Sequence, residues 1–200
     1  WGAKIADCYH TTGEGGLSPY HLEGDCDLIM QIGTAKYGIR DEQGNFSPQR
    51  AKELSKVVKA FEIKLSQGAK PGKGGLLPAS KVHEEIAAIR GIPVNQDSIS
   101  PNRHKDINNI DELLDKINHL RELTGRPVGI KTAIGGWNFI NELCDSINRR
   151  GLQYAPDFLT IDGGEGGSGA APQSLMDHVS LPISEALPRV IDALIPSDLK

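Results

Sequence analysis

The chain has 200 residues and a formal net charge of −4, with 22 basic and 26 acidic side chains interspersed along it. That length allows one domain with a sizeable core, and the charge balance gives no electrostatic footprint for nucleic acid or an anionic membrane. No apolar run approaches the roughly 18–20 residues of a membrane span.

The N-terminal WGAKIADC has no basic n-region and no apolar h-region, so it does not read as a signal peptide. Opening in mid-pattern at Trp1, the chain reads as a piece of something longer. Cys8, Cys26 and Cys144 show neither CxxC pairing nor metal-ligand rhythm. Their spacing favours a reducing, cytoplasmic compartment with buried or inert thiols. The 23 glycines are clustered, which marks loops that bring backbone close to a ligand or need a positive φ.

Residues 9–25 are polar and glycine-rich, hence loop, with Glu14 set between glycines in TGEGG. Residues 27–33 read as a short buried strand. Ser47-Pro48 is a strong helix start, with Ser as cap and Pro at the first helical position. Apolar spacing through Leu54, Val57, Val58 and Phe61 carries that helix to about residue 60. Residues 61–65 form the next strand, which breaks into the loop SQGAKPGKGGLLP.

Ser80 reads as the cap of a helix whose Val82, Ile86, Ile89 stripe ends at Gly91, with Arg90 complementing its dipole. The most regular helix spans about 109–123, with Gly125 past its end. Residues 127–132, PVGIKT, form a strand carrying Lys131 near its end. A helix over about 137–150 follows, then a strand over 157–162 entering GGEGGSGAAP, and a last helix over about 183–195. Four strands alternating with helices imply a parallel sheet. Pattern alone leaves two architectures, an incomplete (β/α)8 barrel or a small doubly wound sheet.

Several motifs fail on inspection. Gly164, Gly166 and Gly169 satisfy G-x-G-x-x-G, but Pro172 delays the helix that should follow and no acidic strand end appears about 20 residues on. The lysine-rich loop is not a P-loop, because Lys73 occupies the place of its second glycine. HExxH and G-x-S-x-G are absent. His10, His21 and His104 fall in loops without zinc spacing, and His83, His119 and His178 read as surface or packing residues. What remains is a strand end rich in cations: Lys64 and Lys131 within strands, and Lys70 and Lys73 in the loop. A lysine in a buried strand is costly unless it meets an anion.

Those loops, IKLSQGAKPGKGGLLP, PVGIK and DGGEGGSGAAP in that order, resemble the FMN-binding domain of glutamate synthase. YHTTGEGG and SISPNRHKDI fit the same pattern, and the closest likeness is to stand-alone FMN-binding glutamate synthase family proteins that lack a glutaminase domain. The resemblance implies that residues 1–200 are part of a single FMN-binding (β/α)8 TIM barrel, as an incomplete central portion. It implies FMN at the carboxyl ends of the strands, with Lys131 at the flavin's pyrimidine edge, where a cation stabilises the reduced ring. Asp162, Gly163, Gly164, Gly167 and Ser168 would lie close to the cofactor.

By the same resemblance Gln67 bonds flavin or substrate, Lys70 and Arg90 clamp the carboxylates of 2-oxoglutarate or its imine, and Glu14 handles ammonia. Glu14 and Lys70 are thus the implied catalytic residues. The implied reaction is hydride transfer from reduced FMN to 2-iminoglutarate, giving L-glutamate. Ferredoxin or a reductase subunit would supply the electrons. An iron–sulfur cluster would sit elsewhere in the full-length protein, since the three cysteines here cannot build its box.

The chain departs from the resemblance at Lys73, where full glutamate synthases carry Glu, and at Leu76, where they carry Gln. These changes leave two alternatives: an FMN-dependent oxidoreductase of the same fold acting on a different substrate, or a non-catalytic ligand-binding barrel. For residues 1–200 alone the expectation is no stable FMN complex, because a partial barrel exposes sheet edges.

Overall fold

The computed structural model describes residues 1–136, 138–176 and 178–199. In chain order the elements are α1 (Gly2–Ile5), β1 (His10–Thr11), α2 (Pro19–Leu22), β2 (Leu28–Ile32), α3 (Pro48–Leu54) and β3 (Ala60–Lys64). There follow β4 (Leu76–Leu77), α4 (Glu84–Arg90), β5 (Ser98–Ile99), α5 (Ile110–Thr124) and β6 (Val128–Ala133). The chain continues with α6 (Asn138–Arg150), β7 (Leu159–Asp162), α7 (Gln173–Met176) and α8 (Ile183–Leu194).

Among these residues β1, β2, β3, β6 and β7 form one five-stranded sheet, and every neighbouring pair is parallel. Strand order in the sheet equals strand order in the chain. A doubly wound sheet must reverse its order at a switch point, so this winding is the barrel kind. The sheet is a curled half-barrel, part of a (β/α)8 TIM barrel. β4 and β5 form a separate antiparallel pair over the carboxyl side, with Leu76 opposite Ile99.

Alternation along each strand sorts the side chains. Leu28, Met30 and Ile32 of β2, Phe61 and Ile63 of β3, and Val128 and Ile130 of β6 enter the main core. There they meet Leu113, Leu114, Ile117 and Leu120, the buried stripe of α5, with Leu143 and Ile147 of α6. The other face carries Gln31, Glu62, Gly129, Lys64, Lys131 and Thr160 in neighbouring registers. A second cluster, Ile134, Ile140, Cys144, Ala186 and Val190, seats α8 on α6.

That second face is polar in layers. Glu62, buried in the middle of β3, accepts from Gln31 Nε2 at 2.6 Å and from Thr160 Oγ1 at 2.5 Å. The contact to Thr160 crosses β6 at Gly129, its register partner. A Cβ on Gly129 would lie 2.4 Å from the Phe158 ring, so glycine there makes room for the aromatic side chain.

Three expected elements shift in detail, at β1, α3 and α4. β1 lies where the sequence reads as loop, so the sheet has a fifth strand. α3 stops at Leu54 rather than near residue 60, because the chain must turn through residues 55–58 for Lys59 N to reach Leu28 O at 2.8 Å. Ser80 sits in a short 3-10 turn, and α4 begins only after His83, since Val82 is buried and its carbonyl accepts from Asn95 N. The helix expected from about residue 137 is observed from Asn138; Trp137 lies outside the described residues. Cys144 is buried as expected, whereas Cys8 is exposed and Cys26 half-buried. α5 matches closely: Asn109 Oδ1 accepts from Glu112 N at 2.9 Å, and Gly125 closes the helix at φ +65°.

Among the described residues no helix is long and apolar enough to cross a membrane.

Candidate functional site

Two lysines stand side by side at the carboxyl ends of the central strands. Lys64 ends β3, and its register partner on β6 is Lys131. Like charges directly opposite on adjacent strands repel, and each ammonium is met by its own carboxylate. Lys64 Nζ donates to Glu14 Oε2 at 2.9 Å and to Gln67 Oε1 at 2.8 Å. Lys131 Nζ lies 3.4 Å from Asp162 Oδ2. Gly33, after β2, admits Glu14 to this position: a Cβ on Gly33 would come within 2.9 Å of the Glu14 Cβ.

The loops after β3 and β7 are joined above the end of β6. Gln67 Nε2 donates to Gly167 O at 2.8 Å, and Gly68 N donates to Asp162 Oδ2 at 2.9 Å. Ala69 N donates to Gly166 O at 2.9 Å. A Cβ on Gly68 would lie 1.6 Å from Gly163 O, so the two backbones approach as only glycine permits.

The sequence-predicted site residues thus divide into three sets. Glu14, Gln67, Lys131, Asp162, Gly163 and Gly167 converge on this network. Lys70 and Arg90 line an adjoining cavity of about 540 Å3, together with Glu14, Lys73, Leu76 and Ile99. Gly164 turns toward the 180–181 segment, with Gly164 N donating to Leu181 O at 2.8 Å. Ser168 is exposed in a short 3-10 turn and stays apart from the network.

The cavity is cationic. Among the described residues the ammoniums of Lys70 and Lys73 make no hydrogen bond or ion pair. Arg90 is held more firmly: Nη1 donates to Ser98 Oγ at 3.3 Å, and its guanidinium lies 4.7 Å from the Tyr37 ring centroid. Tyr37 is buried, and its hydroxyl meets Ser98 Oγ at 2.5 Å. Sequence reasoning missed Tyr37, which sits in no motif, and Ser98, which opens SISPNRHKDI without being singled out there; only the fold brings them under Arg90.

His104 was also undervalued. It is buried, and Nε2 meets Lys64 O at 2.8 Å, which requires the proton on that nitrogen because the carbonyl only accepts. Burial holds the imidazole below its usual range, against the pull of the Lys64 carbonyl. The imidazole fastens the segment carrying Ser100, Pro101 and Asn102 to the strand that carries Lys64, and that segment walls the space beside Gln67 and Lys70. The sequence signal was its place in SISPNRHKDI.

No group of three or more His, Cys, Asp or Glu among the described residues is arranged to hold a metal ion. A family model described as a conserved region in glutamate synthase matches residues 2–200. A glutamate synthase large subunit-like protein, YerD, of Bacillus subtilis (strain 168) is 46% identical over 92% of this chain and 35% of its own length. An archaeal-type glutamate synthase (NADPH) of Thermotoga neapolitana is 36% identical over 92% of this chain and 34% of its own. An archaeal glutamate synthase (NADPH) of Methanocaldococcus jannaschii is 38% identical over 98% of this chain and 36% of its own. The chain spans about a third of the length of these relatives. With a parallel half-barrel, paired cations at its carboxyl end and a family match over nearly every residue, the chain belongs to the glutamate synthase family.

Proposed function

We propose that residues 1–200 are part of one FMN-binding (β/α)8 domain of a glutamate synthase-like oxidoreductase that reduces 2-iminoglutarate, formed from 2-oxoglutarate and ammonia, to L-glutamate. The carrying observation is the juxtaposition of the Lys64–Lys131 pair with a cavity lined by Lys70, Lys73 and Arg90. FMN, when bound, supplies the hydride. The donor set suits it: Lys131 is half-buried and its single carboxylate contact of 3.4 Å is long for a charge-assisted bond, so donors remain for a second anionic group. Gln67 retains one amide hydrogen beyond the one given to Gly167.

The chain's own residues orient the substrate and hold its protons. Arg90, stacked on Tyr37 and tied to Ser98, presents a fixed fork suited to a carboxylate. Lys70 supplies a mobile cation for the other carboxylate. Glu14, fixed by Lys64, places an acceptor at the cavity wall, where it can take a proton from ammonium and return it to the product amine. Such orientation and charge neutralisation lower the barrier without new covalent chemistry. An iron–sulfur cluster would sit elsewhere in the full-length protein, and the electron donor would be a separate partner, ferredoxin or a reductase subunit; no step here is assigned to either.

A second reading keeps FMN and changes the substrate. Lys73 and Leu76 both line the same cavity as Lys70 and Arg90, adding a cation and an apolar side chain. The deciding experiment follows flavin absorbance in the full-length protein after reduction. Reoxidation by 2-oxoglutarate plus ammonia with stoichiometric glutamate supports the first reading; a bound flavin that neither reagent reoxidises supports the second. Absence of flavin absorbance sinks both and leaves a ligand-binding barrel.

A further inference from the structure

A second cavity of about 580 Å3 is lined by the 34–46 loop, Ile99, Pro101, Lys105, Asp106 and Lys116, and not by Lys70. Its charged lining is Lys36, Arg40, Lys105 and Lys116 against a single carboxylate, Asp106. That carboxylate is already spent: Oδ1 lies 2.9 Å from Lys36 Nζ, and Oδ2 lies 3.0 Å from Lys116 Nζ. Partial burial works against its ionisation, yet the two ammoniums hold its carboxyl well below the usual carboxylate range. Two further cations remain. Lys105 is exposed and makes no ion pair among the described residues. Arg40 donates from Nη1 to Ala35 O at 3.2 Å, while its Nε is buried with no hydrogen-bond partner among the described residues.

This concentration of positive charge is out of keeping with a chain of net charge −4. It is also built at a cost. Lys36 is buried and holds φ +55°, a left-handed conformation disfavoured for a residue with a long side chain. A Cβ on Gly44 would lie 2.2 Å from Arg40 Nη2, so glycine at φ +84° lets the guanidinium occupy its place. An unpartnered buried guanidinium nitrogen, a strained buried lysine and a free ammonium around one cavity describe a receptor for an anion.

We propose that this cavity binds a small multivalent anion, a phosphate or polycarboxylate group, at a site separate from the substrate cavity. The two sites share a wall. Thr34 Oγ1 donates to Pro101 O at 2.7 Å, and both residues line the space beside Gln67 and Lys70 as well as this cavity. An occupant would therefore bear directly on the segment that also flanks the substrate.

The test is isothermal titration of the full-length protein, at low ionic strength, with inorganic phosphate and separately with citrate. One saturable site per chain is expected for at least one of them, and which one binds identifies the anion's chemistry. K105E should weaken that binding by about tenfold and K105Q by less, because charge acts through partly screened solvent. K70A, in the other cavity, should leave it unchanged. No saturable binding of either anion overturns the proposal. So does binding that K105E leaves intact and K70A abolishes, since the anion would then occupy the substrate cavity. Neither result bears on whether 2-oxoglutarate reoxidises the flavin.

Discussion

Lys64 and Lys131 are register partners on adjacent parallel strands, yet Lys64 is neutralised by Glu14 from the first loop and Lys131 by Asp162 from the last strand. The two cations can stand together only because chain segments nearly 150 residues apart in sequence deliver their counter-charges. The site is thus a property of the assembled sheet, and its tests concern the joints as well as the charges.

The tightest joint is at Gly68. Substitution by alanine would place a Cβ 1.6 Å from Gly163 O, forcing the β3 and β7 loops apart. G68A should break the bonds from Gly68 N and Ala69 N and cost about 1–3 kcal/mol in urea unfolding. On the proposed FMN-binding function, it should also lower the flavin-to-protein absorbance ratio of the full-length protein. Unchanged stability and flavin content would show that the loops are not joined in solution.

Glu62 tests the polar layer below. T160V deprives the buried carboxylate of one donor and should destabilise the protein by about 1–3 kcal/mol. E62Q replaces an acceptor with an amide NH2 that must face either Gln31 Nε2 or Thr160 Oγ1, and should cost a similar amount. Denaturant midpoints measure both, and an unchanged midpoint in T160V would refute the bond from Thr160 to Glu62.

His104 makes a pH prediction with a definite sign. Its ordinary value is 6.5, and burial holds the folded state below that, with the Lys64 carbonyl and Asp106 opposing and Lys36 and Lys116 assisting. The unfolded chain therefore binds more protons just below pH 6.5, and stability falls with acidification through that window. The contribution is complete above pH 6.5 and is lost progressively below it. His21, also lowered chiefly by burial, acts in the same direction. H104Q retains a donor for Lys64 O without titrating, so the difference in urea midpoint between wild type and H104Q should shrink from pH 8 to pH 5.5. A constant difference would refute the assignment.

Tyr37 separates support from contact. Y37F removes the hydroxyl bonded to Ser98 but keeps the ring beneath Arg90. It should cost about 1 kcal/mol of stability and, on the proposed reaction, barely alter KM for 2-oxoglutarate in the full-length protein. Y37L removes the ring, and KM should rise several-fold with kcat little changed.

How much of this could be read in the chain depended on how local its causes were. α5 was legible because its cap, apolar stripe and closing glycine lie within 17 residues, Asn109 to Gly125. The glycine-rich loops were legible as places of close backbone approach, as Gly68 and Gly163 show, and the lysines as oddities in strands. β1 was not, because its two residues His10 and Thr11 have no alternating pattern and join the sheet only through β2. α3 was overextended because Val57 and Val58 kept a helical spacing, although Val57 is exposed and only Val58 enters the core. The roles of Tyr37 and the Lys36–Asp106–Lys116 group arise from contacts distant in sequence, for which spacing holds no signal, and His104 was marked only by its place in SISPNRHKDI.

The bond from Gly68 N to Asp162 Oδ2 closes a circuit of 94 residues. Contacts of such separation carry a large closure entropy and form after the local ones that shorten the path. The cationic mouth is therefore expected to assemble last, after α5, β6, α6 and β7 have docked. D162A should accelerate unfolding while leaving the refolding rate nearly unchanged, giving φ close to zero. A chain that has collapsed but not finished its sheet would then hold the right residues without bringing Lys64, Lys131, Gln67 and Asp162 together.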